Sequence, residues 1–176
     1  VAETELVAEW ISRIEKETDG KVKIESHPSG TLAAAPDIYE SVVEGIADIG
    51  LSCFAYTRGR FPVLEAFELP GFVYKNSKVA SEVAWEGIKQ LNPEEIQDTK
   101  LMFVIATGPG ALLTKEPVKN LDDIQGMKIR STPSSTKTLQ TLGAVPEGMS
   151  QGETYEALKQ GIVAGNLGPV EVLKGW

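Results

Sequence analysis

Gly126-Met127-Lys128-Ile129-Arg130, then Ser131-Thr132-Pro133, then Ser134 to Leu142 closed by Gly143, is the stretch whose reading decides the fold. It predicts a strand, a short loop and a helix stopped by a glycine suited to left-handed backbone. In α/β sheets, ligands gather beyond the carboxyl ends of strands. Arg130 stands at such an end, where a planar guanidinium can offer a two-pronged hydrogen-bonding fork to a carboxylate. A surface ion pair would use the same residue, and the local sequence leaves both readings open.

Working outward, Ser150-Gln151-Gly152-Glu153 is a capping-box pattern that opens a helix through Tyr155, Leu158 and Lys159, which Gly161 stops. Ile162-Val163 reads as a short strand, and the stretch from Pro169 to Trp176 as the start of another helix. Upstream, Asn120 to Ile124 reads as a short capped helix and Ala111 to Lys115 as a strand. Leu101-Met102-Phe103-Val104-Ile105 is continuously apolar, which predicts a strand buried on both faces. Towards the N-terminus, Leu6, Val7, Trp10, Ile11 and Ile14 give residues 2–18 a helical period. Lys21 to Glu25 alternates like a half-buried strand. A helix carries Ile38, Val42, Val43 and Ile46, Asp48 to Ser52 reads as a strand, and Ser77 to Leu91 as a helix.

Strands thus alternate with helices, which predicts an α/β fold with a largely parallel sheet. Gly108-Pro109-Gly110 breaks the pattern after the apolar run. It divides the chain into an N-terminal lobe, residues 1–104, and a second α/β lobe, residues 105–176.

Composition narrows the function. The 176 residues are 41% hydrophobic with a formal net charge of -8, and the cations are scattered, so a nucleic-acid surface is not expected. No run is long and apolar enough to span a membrane. Cys53 is the single cysteine, so no disulfide forms within the chain; it follows an apolar run and reads as buried packing. His27, the single histidine, sits in a Pro/Gly turn. No metal-ligand cluster, glycine-rich phosphate motif or nucleophile–base pair is present, so neither a metal, a cofactor nor a catalytic residue is expected. Glu94-Glu95 and Asp122-Asp123 read as carboxylates accepting from the free amides of helix starts. Phe54, Tyr56 and Phe72 are either core or the aromatic walls of a small-molecule pocket. Arg58 and Arg60, near the same loop, either pair with a ligand or keep the loop soluble.

Taken in order, several pieces resemble the solute-binding subunits of TRAP (tripartite ATP-independent periplasmic) transporters. They are Gly20-Lys21-Val22-Lys23-Ile24, Ser29-Gly30-Thr31-Leu32, Val43 to Gly50, Leu69-Pro70-Gly71-Phe72, Leu121-Asp122-Asp123-Ile124, Gly126 to Arg130, Leu142 to Pro146 and Glu153 to Leu158. The resemblance implies a two-lobed fold of the periplasmic-binding-protein type II, incomplete at both ends in this chain. It implies a periplasmic receptor with a signal peptide in its precursor. The partners implied are a small organic acid and integral-membrane TRAP permease subunits. It also implies that Arg130 grips the ligand carboxylate, with Phe54, Tyr56, Phe72, Gly110, Pro133 and Gly168 as surrounding site positions. Two departures from the family pattern shape the ligand. Gly110 stands where some members carry a second arginine, and Gly168 where a polar contact is usual. Together they point to a monocarboxylate with an apolar or aromatic body. A ligand-sensing domain of the same fold and an α/β enzyme are the alternatives.

Overall fold

In a computed structural model, residues 2–175 are described. The helices are α1 (Ala2–Glu17), α2 (Ile38–Val43), α3 (Pro62–Glu65), α4 (Ser77–Leu91), α5 (Thr136–Thr141) and α6 (Gln151–Lys159). The strands β1 (Gly110–Thr114), β2 (Lys128–Ser131), β3 (Val145–Gly148) and β4 (Gly165–Pro169) form one sheet in the order β1-β4-β2-β3. β2 runs parallel to both β3 and β4, and β1 pairs antiparallel with β4. The decisive stretch folds as its pattern predicts: Lys128–Ser131 is a strand, and a short turn at Pro133–Ser135 leads into α5.

The helix ends follow from their caps. Asn76 accepts from the Val79 amide at 2.9 Å to start α4, and Asn92 ends it in the left-handed region at φ 43. Ala80, Ala84 and Ile88, four residues apart, form the buried stripe of α4. The capping box of α6 closes with the Ser150 amide and hydroxyl donating to Glu153 Oε2 at 2.8 and 2.6 Å.

Apolar packing gathers around two centres. Phe61, Leu64, Ile88 and Ile96 form one, with Tyr39, Phe54, Phe67, Leu101 and Val104 packed on it. Ile124, Ile129, Leu139 and Ala144 form the other, beneath the sheet. Arg60 braces the first: it pairs with Glu40 at 3.1 Å, donates to the Glu95 carbonyl at 2.9 Å, and lies over the Tyr39 and Phe61 rings. The Glu95 carboxylate does accept from free helix amides, as its sequence predicts, but they are those of Val63 and Leu64 in α3. Asp123 accepts from the Lys119 and Asn120 amides, which belong to a turn and not to a helix start.

Several sequence expectations need correction. Lys21 to Glu25, Asp48 to Ser52 and Leu101 to Ile105 form no ladder with any described residue. The last is not buried on both faces: Met102, Phe103 and Ile105 are 53%, 47% and 58% exposed. β-Propensity and period favour extended backbone, but a strand also needs a neighbour, and none of the described segments pairs with these three. Asn120 to Ile124 forms bends and a turn instead of a helix. Ile162-Val163 is a bend and loop, with the strand beginning at Gly165 instead. Cys53 is exposed.

Candidate functional site

β2 turns its residues to alternate faces. Ile129, wholly buried, enters the core beneath the sheet, and Arg130 points to the opposite side. Arg130 is only 2% exposed. Its Nε and Nη2 donate to the Met149 carbonyl at 3.0 and 2.8 Å. Its Nη1 donates to Gln151 Oε1 at 2.9 Å and to Asn166 Oδ1 at 3.1 Å. All of these acceptors are neutral, and no carboxylate among the described residues forms a salt bridge with it. Burial pulls its pKa below the ordinary guanidinium range, while the neighbouring Tyr56 opposes that shift; the group stays charged at neutral pH. A buried cation whose hydrogen bonds all go to dipoles is poised for an anion, because no ion pair among the described residues repays its desolvation and Glu153 acts on it only at a distance.

The neighbours come from three segments. β4 lies beside β2 with Asn166 in register opposite Arg130. The start of α6 brings Gln151. The turn Phe54–Tyr56 reaches across, and the Tyr56 hydroxyl accepts from the Gln151 amide at 3.2 Å. Two further bonds hold that turn in place: Ser134 Oγ to the Ala55 carbonyl at 3.3 Å, and Arg58 Nη1 to Thr136 Oγ1 at 3.4 Å.

Of the residues named from sequence, the structure brings Tyr56 to Arg130 and puts Pro133 at the start of the turn behind it. Phe54 packs edge-on against Phe61, with centroids 5.2 Å apart, and so belongs to the packed aromatic centre. Phe72 is 60% exposed and stacks on Tyr74. Its flanking Leu69-Pro70-Gly71 lies in an exposed turn, so local stacking and not enclosure sets its ring. Gly110 begins β1 opposite Pro169, and Gly168 pairs with Ala111 one step along.

Sequence reasoning missed Asn166. It is fully buried, and it lies two residues before Gly168 on the same strand face. A Cβ added at Gly168 would sit 3.0 Å from Asn166 Nδ2, so the side-chain amide of Asn166 lies over that glycine. A polar side chain therefore does stand by position 168, contrary to the sequence expectation. The period of two along a strand is the signal that could have found it. Gln151 was read only as part of a capping box.

Beside Tyr56, Cys53 Sγ lies 3.9 Å from Glu68 Oε1. Desolvation, reinforced by the charge of Glu65, pushes the Glu68 carboxyl up to about 7. Desolvation and the charge of Glu68 push the Cys53 thiol up to about 11, so it is not a thiolate at neutral pH. A carboxyl raised in the folded state stabilises the fold at low pH and loses that contribution as pH rises from about 4.5 through about 7. Glu68→Gln is therefore expected to melt above the wild type at pH 8 and level with it at pH 5, by a small margin because the residue keeps solvent exposure. Melting curves at the two pH values check this; equal gaps at both would contradict it.

A cavity of about 420 Å³ opens beside Asn166, lined by Leu112, Leu113, Thr114, Lys115, Leu158 and Leu173. Asn166 thus faces Arg130 through its oxygen while also contributing to the wall of a largely apolar hollow. No described helix is long and apolar enough to cross a membrane. No group of three or more His, Cys, Asp or Glu among the described residues could hold a metal ion.

Residues 2–175 match the model of the family described as bacterial extracellular solute-binding protein, family 7. An uncharacterized protein of Salmonella typhimurium, YiiZ, is 31% identical over 87% of this chain and 48% of its own length. A marine metagenome TRAP solute-binding protein described as specific for aromatic acid ligands, solved with metahydroxyphenylacetate, is 33% identical with a TM-score of 0.89. It is covered over 55% of its chain, against 98% of this one. The TRAP solute-binding protein of Rhodoferax ferrireducens, solved with copurified benzoate, is 31% identical with a TM-score of 0.87, over 98% of this chain and 55% of its own. The chain thus spans about half the length of the relatives it matches. Its mixed sheet, with helices linking the parallel strands, is the α/β fold of those two-lobed receptors. A match along the chain from Ala2 to Gly175, carrying the Lys128-Ile129-Arg130 strand with its buried arginine, places it in a family: the chain belongs to the bacterial extracellular solute-binding proteins of family 7, DctP.

Proposed function

We propose that the protein is a periplasmic receptor that binds a small monocarboxylate with an apolar or aromatic body and hands it to integral-membrane TRAP permease subunits. It performs no chemistry on the ligand. The observation that carries this reading is Arg130, a buried cation whose hydrogen bonds all go to neutral oxygens. A ligand carboxylate supplies the missing counter-charge, and the charge-assisted bonds gain strength where water is excluded. The aromatic acids held by two similar receptors support the apolar body. So does the glycine at 110, which leaves no second cation there.

We read the two packing centres as the cores of two lobes, residues 1–104 and 105–176, with Ala55, Tyr56 and Arg58 reaching from the first to the second. Closing one lobe on the other would bury the ligand between the aromatic turn and Arg130. Thermal shift of the intact protein tests the reading. A ligand at 100 times its dissociation constant stabilises the fold by about 2.7 kcal/mol. Benzoate or 3-hydroxyphenylacetate should raise the melting temperature, and benzamide, the neutral isostere of benzoate, should not. A shift with benzamide equal to that with benzoate would contradict recognition of the carboxylate.

A further inference from the structure

A guanidinium has five N–H bonds. In Arg130 four are committed to protein oxygens: Nε and one Nη2 hydrogen to Met149, and both Nη1 hydrogens to Gln151 and Asn166. At most one Nη2 hydrogen is left, with Tyr56 beside the group, so Arg130 in this arrangement cannot close a two-pronged fork on a carboxylate. The donors that are left over belong to its neighbours. Asn166 Nδ2 and Gln151 Nε2 are buried with no hydrogen-bond partner, and so is Ser131 Oγ, the next residue along β2. A buried donor without an acceptor costs roughly 1–3 kcal/mol. Two such amides beside one cation are a costly arrangement unless something accepts from them; Ser131 Oγ lies on the other face of β2.

Arg130 also fixes which way the amides point. By binding Oδ1 of Asn166 and Oε1 of Gln151 it settles the orientation of both planar groups, so the nitrogens are the atoms turned elsewhere. Gly168 makes room for one of them, since any Cβ there would press on Asn166 Nδ2 at 3.0 Å. A carboxylate has two oxygens with about four acceptor sites. The remaining Nη2 hydrogen and the two amides, each with two hydrogens, can fill them.

We propose that Asn166 and Gln151 are ligand-contacting residues whose side-chain amides, oriented by Arg130, grip the ligand carboxylate alongside the one free Nη2 hydrogen. Arg130 then serves as both charge and jig, and specificity for an anion resides as much in the amide hydrogens as in the guanidinium. The proposal rests on the receptor reading above.

The test is calorimetric titration of benzoate into the intact protein, wild type and variants. Asn166→Asp keeps the shape but replaces the donor with a carboxylate that pairs with Arg130 internally. It is expected to weaken benzoate binding at least 100-fold while the melting temperature holds or rises, an outcome that a misfolded variant would not give. Gln151→Met is expected to weaken it at least 10-fold. In the wild type, the side-chain amide resonances of Asn166 and Gln151 should shift when benzoate is added. Benzoate affinity within threefold of wild type in both variants, with those resonances unmoved, would overturn the amide grip; if Arg130→Met still loses binding, the receptor reading stands without it. A wild-type protein that binds neither benzoate nor 3-hydroxyphenylacetate would overturn both.

Discussion

Arg130→Met should weaken benzoate binding by about 2–5 kcal/mol, the usual cost of removing one partner from a buried charge pair. That is roughly thirtyfold to several thousandfold in dissociation constant. Methionine is chosen because it approximates the length of the arginine stem and adds no charge. The unliganded protein should still fold, though less stably, since no salt-bridged carboxylate among the described residues is left stranded while the neutral oxygens of Met149, Gln151 and Asn166 lose their donor. Titration calorimetry with circular dichroism on the same sample separates the two effects. An Arg130→Met protein that binds benzoate within threefold of wild type would mean that the ligand charge is met elsewhere.

The second large effect concerns the support beneath the site. Leu139→Ala is expected to cost about 3 kcal/mol of folding stability, within the usual range for a buried leucine truncated to alanine. Leu139 is fully buried in α5 and packs with Ile129, the residue next to Arg130, as well as Ile124 and Ala144. Against a total stability of typically 5–15 kcal/mol, such a loss is severe. It would also loosen the turn at Pro133–Ser135, which α5 continues. Urea unfolding measures it; a loss below about 1 kcal/mol would show that the cavity collapses or that this core is not well packed.

How far the sequence discloses all this depends on whether a feature is local. α4, the capping box of α6 and the β2–α5 unit are specified by caps, period and glycine stops within a few residues, and all are legible. The segments at Lys21–Glu25, Asp48–Ser52 and Leu101–Ile105 read as strands because their composition favours extended backbone, yet pairing depends on distant chain. β3 and β4 hide for the opposite reason. Val145-Pro146-Glu147-Gly148 holds a proline that a sheet tolerates at an edge, and β3 is an edge strand. Gly165-Asn166-Leu167-Gly168-Pro169 has little β-propensity, yet it is central because its glycines admit close neighbours. A Cβ at Gly165 would stand 2.8 Å from the Leu113 carbonyl and 2.7 Å from Thr114 Cγ2. The site divides the same way. Arg130 is legible from its place at a strand end, while Asn166 and Gln151 emerge only from the register of β2 with β4 and the approach of α6.

A buried arginine with no ion-pair partner among the described residues makes this protein a receptor for carboxylates. Isothermal titration of the intact protein with benzoate, and with benzamide alongside, tests it most directly. Saturable one-to-one binding of benzoate, with benzamide at least 100-fold weaker, is the predicted result. Equal binding of the two, or none of benzoate by a folded protein, would contradict it.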